Sequence, residues 1–190
     1  MECMGQPGGR VPAPEALRIV QDLANTIDIE MDRDTLQRPA DLERFAREHA
    51  VGDVTFSRRA LQDVREFREL LRAACGANAG HDVSANDLAA LDARLAKAPL
   101  RTTIDASGAA CLVPADGLRG VNLLVACVAC AIATAQANGT WSRLKACEAD
   151  NCRWVFYDRS PSDRGRWCTM SICGSRAKMR AYRERRTTAA

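Results

Sequence analysis

The sequence predicts a mainly α-helical chain with a small β-hairpin: a helical N-terminal domain followed by a C-terminal module of hairpin and helix that carries paired cysteines. Three observations lead there. Apolar residues recur at helical spacing through most of residues 14–140. One stretch, 100–114, reads as two strand-forming runs around a Gly-containing turn. The last fifty residues hold four cysteines in two close pairs.

Taken in order, residues 1–13 are rich in Gly and Pro and are expected to form a flexible arm. Pro14 suits a first helical position, and Leu17, Val20, Ala24 and Ile27 then mark one helix face. Asn25 and Thr26 interrupt that apolar helix; they are a candidate ligand pocket, or else they satisfy neighbouring backbone groups. Pro39-Ala40-Asp41 opens a second helix with Leu42, Phe45 and Ala46 as its stripe. Ser57 is a good N-cap for a third, with Leu61, Val64, Phe67 or Arg68, and Leu71 inward, and with Arg and acidic residues interleaved on a solvated face. Gly76 to Gly80 ends it. Ser84 starts a fourth helix, continued by Leu88, Leu91 and Leu95 to Pro99. The hairpin at 100–114 follows, turning at Asp105-Ala-Ser-Gly108. Gly117 to Ala137 is apolar nearly all round and is expected as the buried central helix, closed by Asn138-Gly139.

Composition and charge narrow the function. Hydrophobic residues are 47% of the 190, enough for a core. The net charge of +3 splits unevenly: residues 1–140 hold 15 Lys and Arg against 19 Asp and Glu, a net of −4, whereas residues 141–190 hold 12 against 5, a net of +7. An acidic body with a basic module points to an anionic partner such as nucleic acid. The start, MECMGQPGGRVPAPEA, shows no apolar segment of a secretory signal, and Val121 to Ala137 is shorter than a bilayer span of about 20 residues, so a cytoplasmic protein with reduced thiols is expected. His49 and His81, the two histidines, have no sequence partner at metal or catalytic spacing. No nucleophile motif, phosphate loop or HExxH is present, so an enzyme is not expected.

The nine cysteines divide. Cys147, Cys152, Cys168 and Cys173 form C-x4-C, fifteen residues, then C-x4-C, and each pair offers two thiolates from one turn. Four thiolates favour one structural zinc, with iron as the main competitor, and leave no open position for a catalytic water. Trp154 to Tyr157 reads as a strand, Arg166-Trp167 as the start of its return, and Ser175 to Arg186 as a helix: a treble-clef plan. Trp154, Phe156, Trp167 and Tyr182 are expected to build the small core of this module. Cys127 and Cys130 form a CxxC inside an apolar helix, where Cys behaves as a small hydrophobe. Cys75 and Cys111 read as core positions, and Cys3 falls in the arm.

These residues resemble a known family. The Cys-x4-Cys pair, Val155-Phe-Tyr-Asp158, Ser160, Arg164, Arg166-Trp-Cys168, Met170 and Cys173-Gly-Ser-Arg176 are similar to the CGNR zinc finger, with Ser175 where the family has Asn. Asp22-Leu-Ala-Asn25-Thr26-Ile-Asp28, Asp41-Leu42 and Arg65-Glu-Phe-Arg-Glu-Leu70 resemble the ABATE domain that precedes this finger, a family of stress-induced transcription regulators. The resemblance implies a bacterial zinc-binding regulator that contacts double-stranded DNA through the finger. Arg164, Arg166, Arg176, Lys178, Arg180 and Arg183 are the candidate nucleic-acid-binding residues, since Lys and Arg neutralise phosphates and Arg pairs with guanine. A homodimer would pair half-sites, and the N-terminal domain would sense a small-molecule effector. The alternatives are a solvated basic tail, or a zinc-stabilised module for protein or RNA contacts.

Overall fold

The computed structural model describes residues 6–188. Helix α1 spans Glu15–Ala24 and buries Leu17, Val20, Leu23 and Ala24. It stops sooner than the apolar spacing predicts. Asn25 caps its C-terminal end, and Ile27–Asp28 (β1) pairs antiparallel with Arg33–Asp34 (β2). Helix α2, Pro39–Glu48, begins where Asp41 accepts the Arg38 amide at 2.9 Å. In α3, Arg58–Ala77, Ser57 Oγ accepts the Ala60 amide at 3.1 Å, the expected cap. Ser84 caps α4, Ala85–Leu95, in the same way. The hairpin is β3, Leu100–Ile104, and β4, Ala110–Pro114, registered Leu100 to Pro114 and Ile104 to Ala110. Helix α5 spans Gly120–Ala137.

The C-terminal module departs from its expected plan. Its hairpin is Leu144–Ala146 (β5) with Val155–Tyr157 (β6), so the first cysteine pair occupies the hairpin's turn. The Arg166-Trp167 segment is no return strand. One turn of π-helix, Met170–Gly174, leads into α6, Ser175–Thr188.

One core unites body and module. Helices α1 and α3 each contact both α5 and the β5–β6 hairpin. Leu144, Ala146, Val155 and Tyr157 are buried in the same cluster as Leu17, Phe45, Phe67 and Leu124. A second, smaller cluster holds Cys147, Ala149, Trp154, Phe156, Cys168 and Cys173.

Several expectations change. Helix α3 buries two arginines, Arg68 at a position offered for the inward stripe and Arg72 on the face read as solvated. Arg68 donates to Asp34 and Thr26, and the fully buried Arg72 donates to Glu69, to the Ala24 carbonyl and, at 2.7 Å, to the Arg153 carbonyl. Burial of these guanidiniums is tolerated because every one meets a carboxylate or carbonyl. Helix α5 has mean hydropathy 1.8 over 18 residues, long and apolar enough by composition to cross a membrane, which the expected length excluded. It is not fully buried either: Leu124, Val125, Ala126, Val128 and Ala135 pack inward, most of its other residues are half-buried, and Asn122, Thr134, Gln136 and Ala137 are exposed. Helix α4 buries nothing completely, and Leu88 is exposed. Cys75 is buried and the half-buried Cys127 packs against the core, whereas Cys130 is only half-buried and Cys111 is exposed, so Cys111 is not a core position. Cys3 lies outside the described residues.

Residues 6–13 are not a loose arm. Gln6 Oε1 accepts from Trp154 Nε1 at 3.1 Å and from Gln21 Nε2 at 3.3 Å. Arg10 donates to the Trp167 carbonyl and stacks 4.8 Å over the Phe156 ring.

Candidate metal centre and basic helix

Cys147 leaves strand β5, and Cys152 closes the turn as its amide bonds to the Ala149 carbonyl at 2.8 Å. Cys168 follows the loop after β6, and Cys173 lies in the π-turn. The four Sγ atoms all lie within 4.8 Å of one another. Cys152 to Cys168 is 3.7 Å and Cys168 to Cys173 is 3.6 Å. Thiolates about 2.3 Å from a tetrahedral metal stand roughly 3.8 Å apart, so these spacings fit a thiolate-bound ion.

The acid–base state agrees. Hydrogen bonds from Cys152 and Cys168 hold the Cys147 thiol down at about 2. The bond to Cys147 pushes Cys152 up to about 12, and the same neighbours raise Cys168. Burial raises Cys173. One thiolate forms readily and keeps its neighbours protonated, so four thiolates together call for a central cation.

The other motif residues shape this cluster. Burial alone would raise the Asp158 carboxyl, but Ser160, the Gly165 amide at 2.6 Å and the Lys145 ammonium at 3.1 Å outweigh it and hold it at about 2. Lys145 also reaches Asp163 at 2.8 Å. A Cβ on Gly165 would fall 2.6 Å from that Asp158 carboxylate. One on Gly174 would fall 3.0 Å from Met170 and 3.2 Å from Trp167. Both positions need glycine for close approach, which explains the Gly beside the last cysteine. Ser175, at the family's Asn position, donates to the Met170 carbonyl at 3.1 Å across the π-turn.

Among the basic residues, two candidates are already engaged. Arg166 pairs with Glu148 at 2.5 Å, and Arg176 pairs with Glu30 of the β1–β2 turn at 2.6 Å. These carboxylates raise both guanidiniums further. Arg164, Lys178, Arg180 and Arg183 are exposed and make no ion pair among the described residues. Helix α6 has no buried residue up to Arg186, and its extensive neighbour is the π-turn alone. Arg185 and Arg186 extend the basic surface along it. Ala177 is half-buried, whereas Met179 and Tyr182 are 53% and 51% exposed, so Tyr182 does not join Trp154, Phe156 and Trp167 around the cysteines.

Asn25 and Thr26, the candidate pocket pair, are both buried and hydrogen-bonded within the fold. Asn25 Nδ2 donates to the Val155 carbonyl at 2.7 Å and its Oδ1 accepts the Val155 amide at 2.8 Å. One side chain thus pairs both backbone groups of β6, as a strand neighbour would. Thr26 Oγ1 donates to the Leu23 carbonyl and accepts from Arg68. The Thr26 bond to Leu23 is the neighbouring-backbone role that the sequence offers, whereas Val155 and Arg68 lie 130 and 42 residues away, beyond any local reading. His49 also gains a partner the sequence hid: Asp22 stands 3.5 Å from its Nε2. The junction of body and module holds a cleft of about 420 Å³ lined by Gly76, His81, Asp82, Cys147, Glu148 and Arg153.

Comparison with known proteins agrees with this organisation. Residues 143–186 match the CGNR zinc finger, and residues 17–138 match ABATE, described as a putative stress-induced transcription regulator. No curated protein matches the chain. With 17–138 covering well over half of its length, the chain belongs to the ABATE family, and a CGNR-type zinc finger follows that domain.

Proposed function

We propose that the protein is a cytoplasmic transcription regulator in which one structural zinc, held by Cys147, Cys152, Cys168 and Cys173, supports a helix that binds double-stranded DNA. The observation that carries this reading is α6: six basic side chains, Arg176, Lys178, Arg180, Arg183, Arg185 and Arg186, on a helix with no buried residue up to Arg186 that springs directly from the cysteine cluster. An isolated helix of that length is marginal in water, so a surface of opposite charge is its natural complement. The activity is binding rather than catalysis, since four protein thiolates fill the metal's positions. Arg164, Lys178, Arg180 and Arg183 make the primary phosphate contacts; Arg166 and Arg176 join by exchanging Glu148 and Glu30 for phosphate.

Operation as a homodimer would place two fingers on paired half-sites. The uncharged, half-open side of α5 and the exposed hairpin residues Ile104 and Leu112 support that arrangement. The cleft between body and module supports a sensing role for the N-terminal domain, because an effector there would touch both.

Fluorescence anisotropy on labelled duplex DNA from 50 to 200 mM salt tests the reading. Counting the four primary contacts alone, because Arg166 and Arg176 each release a carboxylate in taking a phosphate, the slope of log affinity on log salt is about −3.6, or roughly 150-fold over that range. Replacing Lys178, Arg180 and Arg183 together by Ala brings the slope to about −1. Absence of duplex binding at 50 mM, or preference for single-stranded RNA, overturns it.

A further inference from the structure

The outer face of the π-turn and α6 is not purely cationic. Ile172 is 40% exposed and Met179 is 53% exposed. Ser171, Ile172, Ser175, Arg176, Met179 and Arg183 recur at spacings of three to four and line one shallow groove on this face. Phosphates explain the arginines but give nothing to a solvent-facing Ile and Met. Lining one groove together within a basic field, the two apolar side chains form a patch that a partner can cover. Duplex DNA offers what both halves of the face need. Its phosphates flank a major groove about 12 Å wide that admits an α-helix, and the groove floor presents the thymine methyl groups. The π-turn is the only element in extensive contact with α6, and Ile172, Met179, Arg180 and Arg183 are exposed, so this face is accessible to such a groove.

Resting on the DNA-binding reading above, we infer that the π-turn and first turns of α6 enter the major groove, where Ile172 and Met179 read thymine methyls while Arg176, Arg180 and Arg183 hold the flanking phosphates or guanine. Charge then sets affinity, and the apolar pair sets sequence preference. Ser171 and Ser175 lie on the same face and can bond to either base edge or backbone. The ion pair of Arg176 with Glu30 brings the β1–β2 turn to the edge of this face, so the body borders the base-reading surface.

The test is selection of binding sites from random duplex DNA by the zinc-loaded full chain, followed by titration of the selected and a scrambled duplex. The wild type is expected to enrich a motif with thymine positions. Ile172→Ala and Met179→Ala each lower the ratio of selected to scrambled affinity by about tenfold, the usual loss for one wrong base pair, while affinity for the scrambled duplex stays within about twofold. Arg183→Ala lowers both affinities together. Both apolar positions are exposed, so zinc content and melting temperature stay at the wild-type level and report an intact fold. Binding to duplex with no enriched motif, or a preference unchanged in both apolar variants, overturns this inference and leaves the DNA-binding reading standing. Failure to bind any duplex, with capture of an acidic peptide instead, overturns both.

Discussion

Asn25 fastens the N-terminal helices to the finger, and its replacement measures how far the two act as one fold. In Asn25→Ala the Val155 carbonyl keeps the Gln21 amide at 3.2 Å, but the Val155 amide loses its acceptor. Val155 has no exposed surface, so water cannot replace that acceptor. An orphaned buried amide costs about 1–3 kcal/mol, and the lost bond to the carbonyl adds about 1 kcal/mol. A chain of this size melts about 2–4 °C lower per kcal/mol, so a loss near 3 kcal/mol lowers Tm by roughly 6–12 °C. Asn25→Asp separates bonding from packing. It keeps the size and the acceptor but aims a carboxylate oxygen at the Val155 carbonyl, so its Tm falls at least as far. Thermal melting followed by circular dichroism, on zinc-loaded protein, gives both values. Melting of both variants within about 1 °C of wild type would refute the latch and with it the shared core.

Two further outcomes follow from the same geometry. Gly165→Ala forces a methyl to within 2.6 Å of the Asp158 carboxylate, which must then leave Lys145 and the Gly165 amide; thermal melting should show a loss of about 2–4 kcal/mol, and an unchanged Tm would contradict the packing described. Burial lowers the His49 imidazole below its ordinary 6.5, with Asp22 and Glu48 opposing and Arg18 assisting. Its folded form therefore binds fewer protons than the unfolded chain as pH falls below 6.5, and stability contributed by neutral His49 declines from pH 7 toward 5. An NMR titration of the imidazole should give a midpoint below 6.5; a midpoint above it would show that Asp22 dominates.

What could be read in the sequence was local. The caps Ser57 and Ser84, the stripes of α2 and α3 and the 100–114 hairpin each depend on residues within a few positions of one another. The cysteine spacing was equally legible, because two short-range pairs announce a metal site whatever the path between them. Long-range pairing stayed hidden. Arg72 looks like a solvated residue until Ala24 and Arg153 are brought against it, and Arg68, a possible member of the inward stripe, shows no partner until Asp34 meets it. Asn25 looks like a polar fault in a helix until β6 arrives. Helix α5 shows the converse: its uniform apolarity predicts full burial, but five of its residues are fully covered and most of the others only in part. The β5–β6 pairing escapes local reading for a related reason, since C-x4-C describes the turn and says nothing of which flanking strands close it.

The account rests on four thiolates holding one metal. Native mass spectrometry with elemental analysis, on protein purified without chelator, measures this directly. One zinc per wild-type chain is predicted, and none in Cys173→Ser once a competing chelator is added, with loss of protection in α6 by hydrogen exchange. A full equivalent of zinc retained by Cys173→Ser under the same chelator would contradict the ligand set and the finger built on it.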